Sequence, residues 1–482
     1  MPKFADSDSM LSTDDPENWS SYISDFRRAG HETVDWIANY LATVRDMPVL
    51  ASTAPGQLFD SLPSEAPNQG EPFEAILRDF DRLVMPAVTQ WNHPRFFAYF
   101  ACTGSTPAIL GEMLAAALNT NGLHWKTSPA VAELEQRTLD WIRQWLGLPE
   151  GWMGIVYDTA STSSMHAIVC AREMVAPEAR TEGSRGDLVL YTSDQSHSSS
   201  EKGAIAGGIG QNNVRKVPSD ANFRMNAEVL AQLVAEDKAA GKRPFCVVAT
   251  IGTTSSTSVD PLPEIAAIAE KHGLWLHVDA AYAGAAAMLP EHRDILNGAE
   301  RAHSLVFNAH KWLLTPIDLS AFFTRRPDIL RRAFALTPEY LKTQEDPRAH
   351  NLMDYGVPLG HRFRALKLWF VLRYFGRDRI QAMLRRHIQW AQDLAALISS
   401  DPQRTFEIVA PIPFSVVCFR YRGTDDQNKA ILERVNQSGR VFLSSTVLNR
   451  QAVLRLAIGN LGTTWGDVQE AWQLLKEAAA EL

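Results

Sequence analysis

Two charged residues, Asp279 and Lys311, each come at the end of a short apolar run. Asp279 closes the stretch Leu274-Trp-Leu-His-Val-Asp279, and Lys311 follows shortly after Ser304-Leu-Val-Phe307. Both runs are predicted to be strands of an α/β sheet, and open α/β sheets bind ligands at the carboxyl ends of their strands. The sequence therefore predicts a carboxylate and an amine at one crevice.

A carboxylate and an amine in that arrangement suit chemistry with pyridoxal 5'-phosphate (PLP). The amine of Lys311 can form a Schiff base with the PLP aldehyde, and an ionised Asp279 can keep the pyridine nitrogen protonated, which makes the ring an electron sink. Taken singly, an aspartate at a strand end is more often a cap or an ion-pair partner, and a lysine is more often on the surface. The combination, with Asp-Ala-Ala before Tyr-Ala-Gly and His-Lys after a strand, favours PLP binding.

The elements that must position this pair alternate between helices and short apolar runs. An amphipathic helix is predicted from Ser128-Pro129 to Gly147, and another over 261–272. Strands are predicted at 154–157, 188–191, 245–251, 274–278, 304–307 and 319–323. Strands that alternate with helices predict an α/β fold with a mostly parallel sheet covered on both faces.

The chain has 482 residues, too many for one ordinary domain, and the pattern divides them into three parts. Residues 1–103 are predicted to be a helical N-terminal segment, with a helix from Pro16 to about Met47, a proline-rich linker over 48–72 and a further helix to about Trp91. Residues 104–400 form the large α/β domain. Residues 401–482 are predicted to be a small α+β domain with strands at 415–421, 441–445 and 453–457 and a closing helix after Trp465.

Composition and charge argue against several other classes of protein. The net charge is −8, so no basic face for nucleic acid is indicated, and no run of about twenty apolar residues could cross a membrane. Residues 1–15 lack the basic and apolar blocks of a signal peptide. The cysteines are too scattered for a disulfide framework or a zinc knuckle, which fits a reducing cytoplasm. They are Cys102, Cys170, Cys246 and Cys418.

The sequence lacks the signatures of other cofactors. The stretch from Gly203 to Gly210 is glycine-rich but does not have the spacing of a nicotinamide-binding fingerprint. Gly241-Lys242 is followed by Arg243, where a P-loop needs serine or threonine. No HExxH or paired-cysteine motif indicates a metal site.

From about residue 15 to 482 the chain resembles the group II PLP-dependent amino-acid decarboxylases, and most of all the aromatic-L-amino-acid decarboxylases. Seven stretches carry the resemblance, in the family's order: His93-Pro-Arg-Phe-Phe-Ala-Tyr-Phe100, Thr127-Ser-Pro-Ala130 with Glu133-Leu-Glu135, Thr192-Ser-Asp-Gln-Ser-His-Ser198, Thr250-Ile-Gly-Thr-Thr254, His277-Val-Asp-Ala-Ala-Tyr-Ala-Gly284, Asn308-Ala-His-Lys-Trp-Leu313 and Pro358-Leu-Gly-His-Arg-Phe-Arg-Ala-Leu-Lys-Leu-Trp369. The resemblance implies a type I PLP-dependent (aspartate aminotransferase-like) fold, PLP as the cofactor, and decarboxylation of aromatic L-amino acids to amines and carbon dioxide.

The resemblance also assigns cofactor contacts to individual positions. His197 would stack on the pyridine ring and help to hold the substrate carboxylate, and the alternative is a capping or core histidine. Ala160 and Ser161 would face the phosphate at a helix N-terminus, and Asn308 would complete that phosphate site. The remaining contacts fall on Thr254 at the cofactor's edge, Ala281 against the ring, and His310 as a phosphate or structural partner.

Tyr340 bears on the type of reaction. It lies in Leu336-Thr-Pro-Glu-Tyr-Leu-Lys342, which resembles the family's mobile catalytic loop. In that family the loop closes over the neighbouring subunit's site, so the resemblance implies a homodimer. Tyr340 would protonate the carbanion carbon after carbon dioxide leaves. Relatives that make aldehydes with oxygen tend to have Phe at this tyrosine or Asn at the position of His197, whereas this chain has Tyr340 and His197.

The substrate pocket is expected to include aromatic residues of the first motif. The expected lining residues are Trp91, Tyr99, Phe100, Cys102, Trp125 and Gly360. Four departures from the family's pattern are Ala101-Cys102 for Pro-Thr, Asp158 before the phosphate turn, Ala309 for Pro, and His361 for Arg, of which the first and last are expected on the pocket side.

The preferred aromatic amino acid stays open, and three other functions remain as alternatives. The first is oxygen-dependent aldehyde synthesis. The second is decarboxylation of a non-aromatic amino acid, against which the sequence shows no arginine clearly dedicated to a side-chain carboxylate. The third is a catalytically silent binding partner, against which stand Lys311, Asp279, His197 and Tyr340.

Overall fold

The computed structural model describes residues 16–100, 102–336 and 349–482. These residues form two sheets and the helices around them. The strands are β1 Phe96–Phe97, β2 Met153–Tyr157, β3 Leu188–Ser193, β4 Val214–Val217, β5 Arg243–Thr250, β6 Trp275–Asp279, β7 Ser304–Phe307, β8 Ser320–Thr324, β9 Phe406–Ile408, β10 Val416–Tyr421, β11 Phe442–Leu448 and β12 Gln451–Ala457. The helices are α1 Pro16–Thr43, α2 Gln57–Ser61, α3 Phe73–Asp79, α4 Thr106–Leu118, α5 Pro129–Leu146, α6 Ala160–Val175, α7 Ala179–Glu182, α8 Ser199–Ala206, α9 Ala227–Ala239, α10 Leu262–His272, α11 Ala309–Trp312, α12 Pro327–Phe334, α13 Ala365–Ser400 (broken at Gly376), α14 Asp425–Gln437 and α15 Trp465–Ala480.

The large sheet has seven strands in the order β2-β8-β7-β6-β5-β3-β4. The strands from β7 to β4 in that order run parallel to one another, while β8 is antiparallel to both β2 and β7. Strands β3, β6 and β7 are buried along their whole length, as a sheet covered on both faces requires. The predicted α/β class with a mostly parallel sheet is confirmed.

Helix α5 supports the strand that leads to the site. It begins with Pro129 in its first turn and stops at Gly147, whose φ of 76° lies in the left-handed region that favours glycine. Its apolar face, including Leu139 and Ile142, is buried against β2. Proline at the start and glycine after the end are the two signals from which the sequence predicted these boundaries.

The small sheet joins distant parts of the chain. Its order is β1-β11-β12-β10-β9, and β1 runs parallel to β11 with Phe96 opposite Phe442 and Phe97 opposite Leu443. The helical segment expected over 1–103 therefore also contains a strand. A strand of two residues is too short to be recognised by alternation of apolar and polar positions.

Other boundaries differ from expectation for local reasons. The linker over 48–72 contains the short helix α2, and the helix expected to reach Trp91 is α-helical to Asp79, continues as a π-helix over Phe80–Val84 and ends in the 3-10 helix Met85–Ala87. Pro86 lacks the N–H that a continuing helix needs. Strand β4 was not predicted because Arg215 and Lys216 interrupt its apolar pattern. No helix in the described part of the chain has the length and apolarity to cross a membrane.

Candidate active site

The ends of two neighbouring strands bring Asp279 and Lys311 together. Asp279 is the last residue of β6, where it pairs with Thr250 of β5 and Val306 of β7. Lys311 lies in the short helix α11, which begins just after β7. Both residues line one cavity of about 150 Å³ at the carboxyl ends of the strands. The structure thus places this pair at the crevice that the sequence predicted.

Lys311 has the environment of a reactive amine. Burial lowers the pKa of its ammonium group, and the negative charge of Asp279 partly opposes that effect. The Nζ atom lies 5.1 Å from the centre of the Phe100 ring. A lysine whose pKa is lowered by burial spends more time as the neutral amine, which is the form that attacks an aldehyde.

Asp279 is held as a fixed, buried acceptor. Its side chain is 5% exposed, and Oδ1 accepts a hydrogen bond from the backbone N–H of Ala281 at 3.1 Å. Ala281 lines the same cavity. A carboxylate fixed in this way can accept a hydrogen bond from a protonated ring nitrogen, which is the role that the sequence predicted for it.

His197 presents one hydrogen-bond donor to the cavity. Its Nδ1 accepts from the backbone N–H of Ser199 at 3.1 Å, so the ring proton of the neutral form is on Nε2. Burial lowers the pKa of His197, while Asp279 raises it and Lys311 lowers it further. The imidazole is therefore neutral at pH 7, and its Nε2–H can donate to a substrate carboxylate.

A helix N-terminus forms one end of the cavity. Helix α6 begins at Ala160 directly after the turn that follows β2, and Ala160 and Ser161 line the cavity. The first backbone N–H groups of a helix have no partner within the helix and attract anions. The carboxylate of Asp158 accepts from the backbone N–H of Thr159 at 2.6 Å and is not among the lining residues. The negative charge of Asp158 is thus engaged in the turn.

Asn308 offers a second donor at this end. His310 Nδ1 accepts from the backbone N–H of Leu319 at 3.0 Å, and burial lowers the pKa of His310 to about 4, so its single proton is on Nε2. The amide end of Asn308 that lies 3.3 Å from this Nε2 must then be the oxygen. The NH2 end of Asn308 is left buried without a partner among the described residues.

These groups together fit PLP. The helix N-terminus, the Ser161 hydroxyl and the Asn308 amide are donors suited to a phosphate, and the Ser199 hydroxyl, also buried without a described partner, lines the same cavity. Lys311 and Asp279 would supply the amine for the PLP aldehyde and the carboxylate for the ring nitrogen. His310 acts as the structural partner that orients Asn308.

A second cavity of about 280 Å³ adjoins the first through shared walls of Phe100, His197, Thr254 and Lys311. Four of the residues expected to contact the substrate line it: Trp91, Tyr99, Phe100 and Cys102. The rings of Trp91 and Tyr99 are stacked with their centres 5.8 Å apart. Burial raises the pKa of the Cys102 thiol, which keeps this side chain uncharged.

A model of the pyridoxal-dependent decarboxylase conserved domain matches residues 55–422 of the chain. The chain belongs to the pyridoxal-dependent decarboxylase family. The cofactor of this decarboxylase is PLP, its reaction class is that of a carboxy-lyase, and its fold is the type I PLP-dependent fold.

Known decarboxylases and aldehyde synthases are similar to this decarboxylase over almost its whole length. Aromatic-L-amino-acid decarboxylase from Sus scrofa is 41% identical, with 95% of this chain and 97% of the relative covered. Phenylacetaldehyde synthase from Arabidopsis thaliana is also 41% identical, with 95% and 96% covered. The crystal structure of Oryza sativa TDC with PLP and tryptamine has a TM-score of 0.92 at 35% identity, with 95% and 98% covered.

Several residues expected at the site of this decarboxylase lie elsewhere or outside the described residues. Trp125 lines a separate surface cavity, where its Nε1 donates to Glu133 at 2.8 Å. Gly360 lies beside Asn121, and His361 pairs with the buried Glu135 at 2.7 Å. Within the described part of this chain, none of the three lines the Lys311 cavities. Tyr340 and Ala101 lie outside the described residues.

The sequence analysis missed other residues of the site. The additional lining residues are Thr159, Ser199, Thr250, Gly252, Ser255, Tyr282, Ser444, Ser445, Thr446 and Arg455. The one with a detectable signal is Arg455, a charged residue within the apolar run Val453-Leu-Arg-Leu-Ala457 that is only 3% exposed. An arginine on a buried strand position is uncommon and indicates a specific role.

Proposed function

We propose that this decarboxylase converts aromatic L-amino acids (tryptophan, tyrosine, phenylalanine or dihydroxyphenylalanine) to the corresponding amines and carbon dioxide. The observation that carries the proposal is the cavity of Trp91, Tyr99 and Phe100, which opens directly onto Lys311 and His197. Flat rings stack favourably on other flat rings, and these three side chains give part of the cavity an aromatic surface.

PLP would supply an aldehyde for the substrate amine and a ring that draws electrons from the bond to be broken. Asp279 would hold the proton at the ring nitrogen. The Nε2–H of His197 donates to the substrate carboxylate and orients it. The amine of Lys311 would hold the cofactor aldehyde in the absence of substrate.

Tyr340 decides the product in this proposal. Its phenol gives a proton to the α-carbon after carbon dioxide departs, which yields the amine. The second candidate, an aldehyde synthase, is favoured by the equally similar phenylacetaldehyde synthase. Against it stand the histidine at 197 and the tyrosine at 340.

Arg455 lines this cavity, and two of its nitrogens bond to the cavity wall. Its Nε donates to the backbone oxygen of Ser255 at 3.1 Å, and Nη1 donates to the backbone oxygen of Tyr99. Its Nη2 is buried without a partner among the described residues. A donor of this kind suits a carboxylate, and it is the observation that favours the alternative of a non-aromatic, acidic amino acid as substrate.

We further propose that the working unit is a homodimer with the active site at the subunit interface. Helix α1 exposes large apolar side chains, and so does helix α4. They are Trp19, Tyr22, Ile23 and Phe26 on α1, and Leu110, Met113, Leu114 and Leu118 on α4, each at least 37% exposed. Clusters of exposed apolar side chains of this size are typical of protein interfaces, and a second copy of the chain is the partner that the resemblance implies.

The test is a product analysis in aerated buffer. The PLP-loaded protein is incubated separately with tryptophan, tyrosine, phenylalanine and dihydroxyphenylalanine, and amine, aldehyde, ammonia and hydrogen peroxide are quantified. We expect one amine per carbon dioxide and no peroxide, and we expect Tyr340→Phe to shift the products towards aldehyde, ammonia and peroxide. Aldehyde and peroxide from the unmodified protein would overturn the role of Tyr340, and no turnover of any of the four would overturn the aromatic substrate class.

A further inference from the structure

Tyr99 has an unusual backbone conformation in the aromatic wall. Its φ of 52° lies in the left-handed region, which a bulky side chain rarely adopts because it is unfavourable. Such a conformation persists only where the surroundings enforce it. The conformation of Tyr99 therefore requires contacts that hold the backbone in place.

Two side chains of the small sheet provide those contacts. The backbone N–H of Tyr99 donates to Ser444 Oγ on β11 at 3.2 Å, and the backbone oxygen of Tyr99 accepts from Arg455 Nη1 on β12. Both bonds reach across more than three hundred residues of sequence, so they form only when β1, just before Tyr99, has paired with β11 in the small sheet. Arg455 and Ser444 are direct neighbours in the register of β11 and β12.

Arg455 also packs against Phe100, the next residue of the wall. The guanidinium carbon lies 4.5 Å from the centre of the Phe100 ring, and the ring of Tyr282 stacks on the same ring at 4.0 Å. The Nε of Arg455 donates to the backbone oxygen of Ser255, another residue that lines the cavity. The side chain of Arg455 thus contacts Tyr99, Phe100 and Ser255 together.

A comparison with Arg420 separates this role from ordinary stabilisation. Arg420 lies on the adjacent strand β10, is 7% exposed, and pairs with the carboxylates of Glu407 and Asp425. Arg455 forms no ion pair with any carboxylate in the described part of the chain. Burying a cation without a counter-ion is unfavourable, so its retention points to the geometry that it imposes on the wall.

We propose that Arg455 is a positioning residue that sets the preference for an aromatic side chain, by holding Tyr99 and Phe100 in the conformation that forms the ring pocket. The inference rests on the proposed function, because it takes the cavity of Trp91, Tyr99 and Phe100 as the site of the substrate ring. A residue of strand β12 in the small sheet thus controls a pocket whose aromatic residues belong to the N-terminal segment.

The test compares the binding of two amines to the PLP-loaded protein. Titration with 2-phenylethylamine and with ethylamine, followed by the visible absorbance of the bound cofactor, gives two dissociation constants whose ratio measures the preference for a ring. The ratio is unaffected by loss of folded protein, because both amines report on the folded fraction. Turnover is not needed for this measurement.

We expect the unmodified protein to prefer 2-phenylethylamine, and Arg455→Lys to reduce that preference by about fivefold or more while ethylamine affinity stays within twofold. Ser444→Ala, a smaller change that removes the other anchor of Tyr99, is expected to shift the ratio in the same direction. Arg420→Lys is the matched control and is expected to keep the original ratio.

An unchanged ratio in both Arg455→Lys and Ser444→Ala would overturn the inference while leaving the proposed function standing. Equal affinities of the unmodified protein for the two amines would instead overturn the aromatic pocket itself, and the inference with it. If Arg455→Lys does not fold, the ratio of Ser444→Ala decides the question.

Discussion

At the scale of single residues, Asp279 works through its charge and not only through its hydrogen bond. The side chain is buried, and Ala281 N–H already holds Oδ1 in place. Asp279→Asn keeps the shape and an oxygen acceptor but removes the negative charge that would keep the cofactor nitrogen protonated. We expect kcat to fall on the order of 10²-fold or more, because a preorganised charge at the reacting centre is lost. Steady-state kinetics at saturating PLP measure the effect. Asp279→Glu, which keeps the charge, is the control and should retain more activity. A kcat of Asp279→Asn within twofold of the original would contradict this role.

Asn308 gives a prediction that concerns the phosphate alone. Its NH2 end is free to donate to the phosphate because His310 takes the oxygen end. Asn308→Leu should raise the dissociation constant of PLP about 10- to 100-fold, the range for a hydrogen bond to a charged group. Pyridoxal, which has no phosphate, is the control ligand, and its affinity should be nearly unchanged. Equal losses for both ligands would show that the substitution disturbs the cavity in general.

Single residues differ in how far the sequence could predict them. Asp279, Lys311, Asn308 and His197 lie in short motifs, so their types and order were informative. Arg455 was missed because its contacts to Tyr99 and Ser255 depend on the docking of two sheets, which no local pattern encodes. The resemblance predicted Trp125 and Gly360 in the substrate pocket. In the single chain, Trp125 lines a separate surface cavity and Gly360 lies beside Asn121.

At the scale of elements, the strands of the large sheet were predicted well because most are long, apolar and bounded by helix signals. The run 304–307 agrees with β7, and the other predicted runs differ from their strands by no more than two residues at either end. The weak predictions were the short or edge strands β1, β4 and β9. They contain only two to four residues each, so their pairing with a neighbouring strand defines them more than their own pattern does.

Strand β1 gives the prediction at this scale. Phe97 is fully buried and belongs to the apolar core of the small sheet together with Leu443 and Val417. Phe97→Ala should reduce the free energy of unfolding by about 3–5 kcal/mol, through lost burial and a cavity. Urea denaturation followed by circular dichroism measures this change. Tyr374→Ala, at a position that is 61% exposed, is the control and should change the free energy of unfolding by less than about 0.5 kcal/mol. A similarly small effect of Phe97→Ala would contradict the place of β1 in this core.

At the scale of the whole molecule, the large sheet supplies the cofactor site and the small sheet closes the substrate cavity. Lys311, Asp279 and His197 come from the large sheet and its connections, whereas Ser444, Ser445, Thr446 and Arg455 come from the small one. The C-terminal strands therefore belong to the active site and are more than an appended unit. This division was not visible in the sequence, where the C-terminal part carried no recognised site residue.

The exposed apolar residues of α1 and α4 predict the oligomeric state. We expect light scattering on a sizing column to give twice the mass of one chain. Phe26→Glu combined with Leu114→Glu should shift the protein to the monomer, because a charge placed in an apolar interface is costly. Tyr374→Glu, at an exposed position on α13, is the control and should leave the mass unchanged. A single-chain mass for the unmodified protein would contradict the proposed dimer.

The most direct test of the site is to trap the bond between the protein and its cofactor. The PLP-loaded protein is reduced with borohydride, which makes a Schiff base permanent, and its peptides are analysed by mass spectrometry. The structure predicts one phosphopyridoxyl group per chain, on Lys311, and none in the Lys311→Ala variant. A label on another lysine such as the buried Lys367, or no label at all, would contradict the assignment of Lys311 and with it the active site described above.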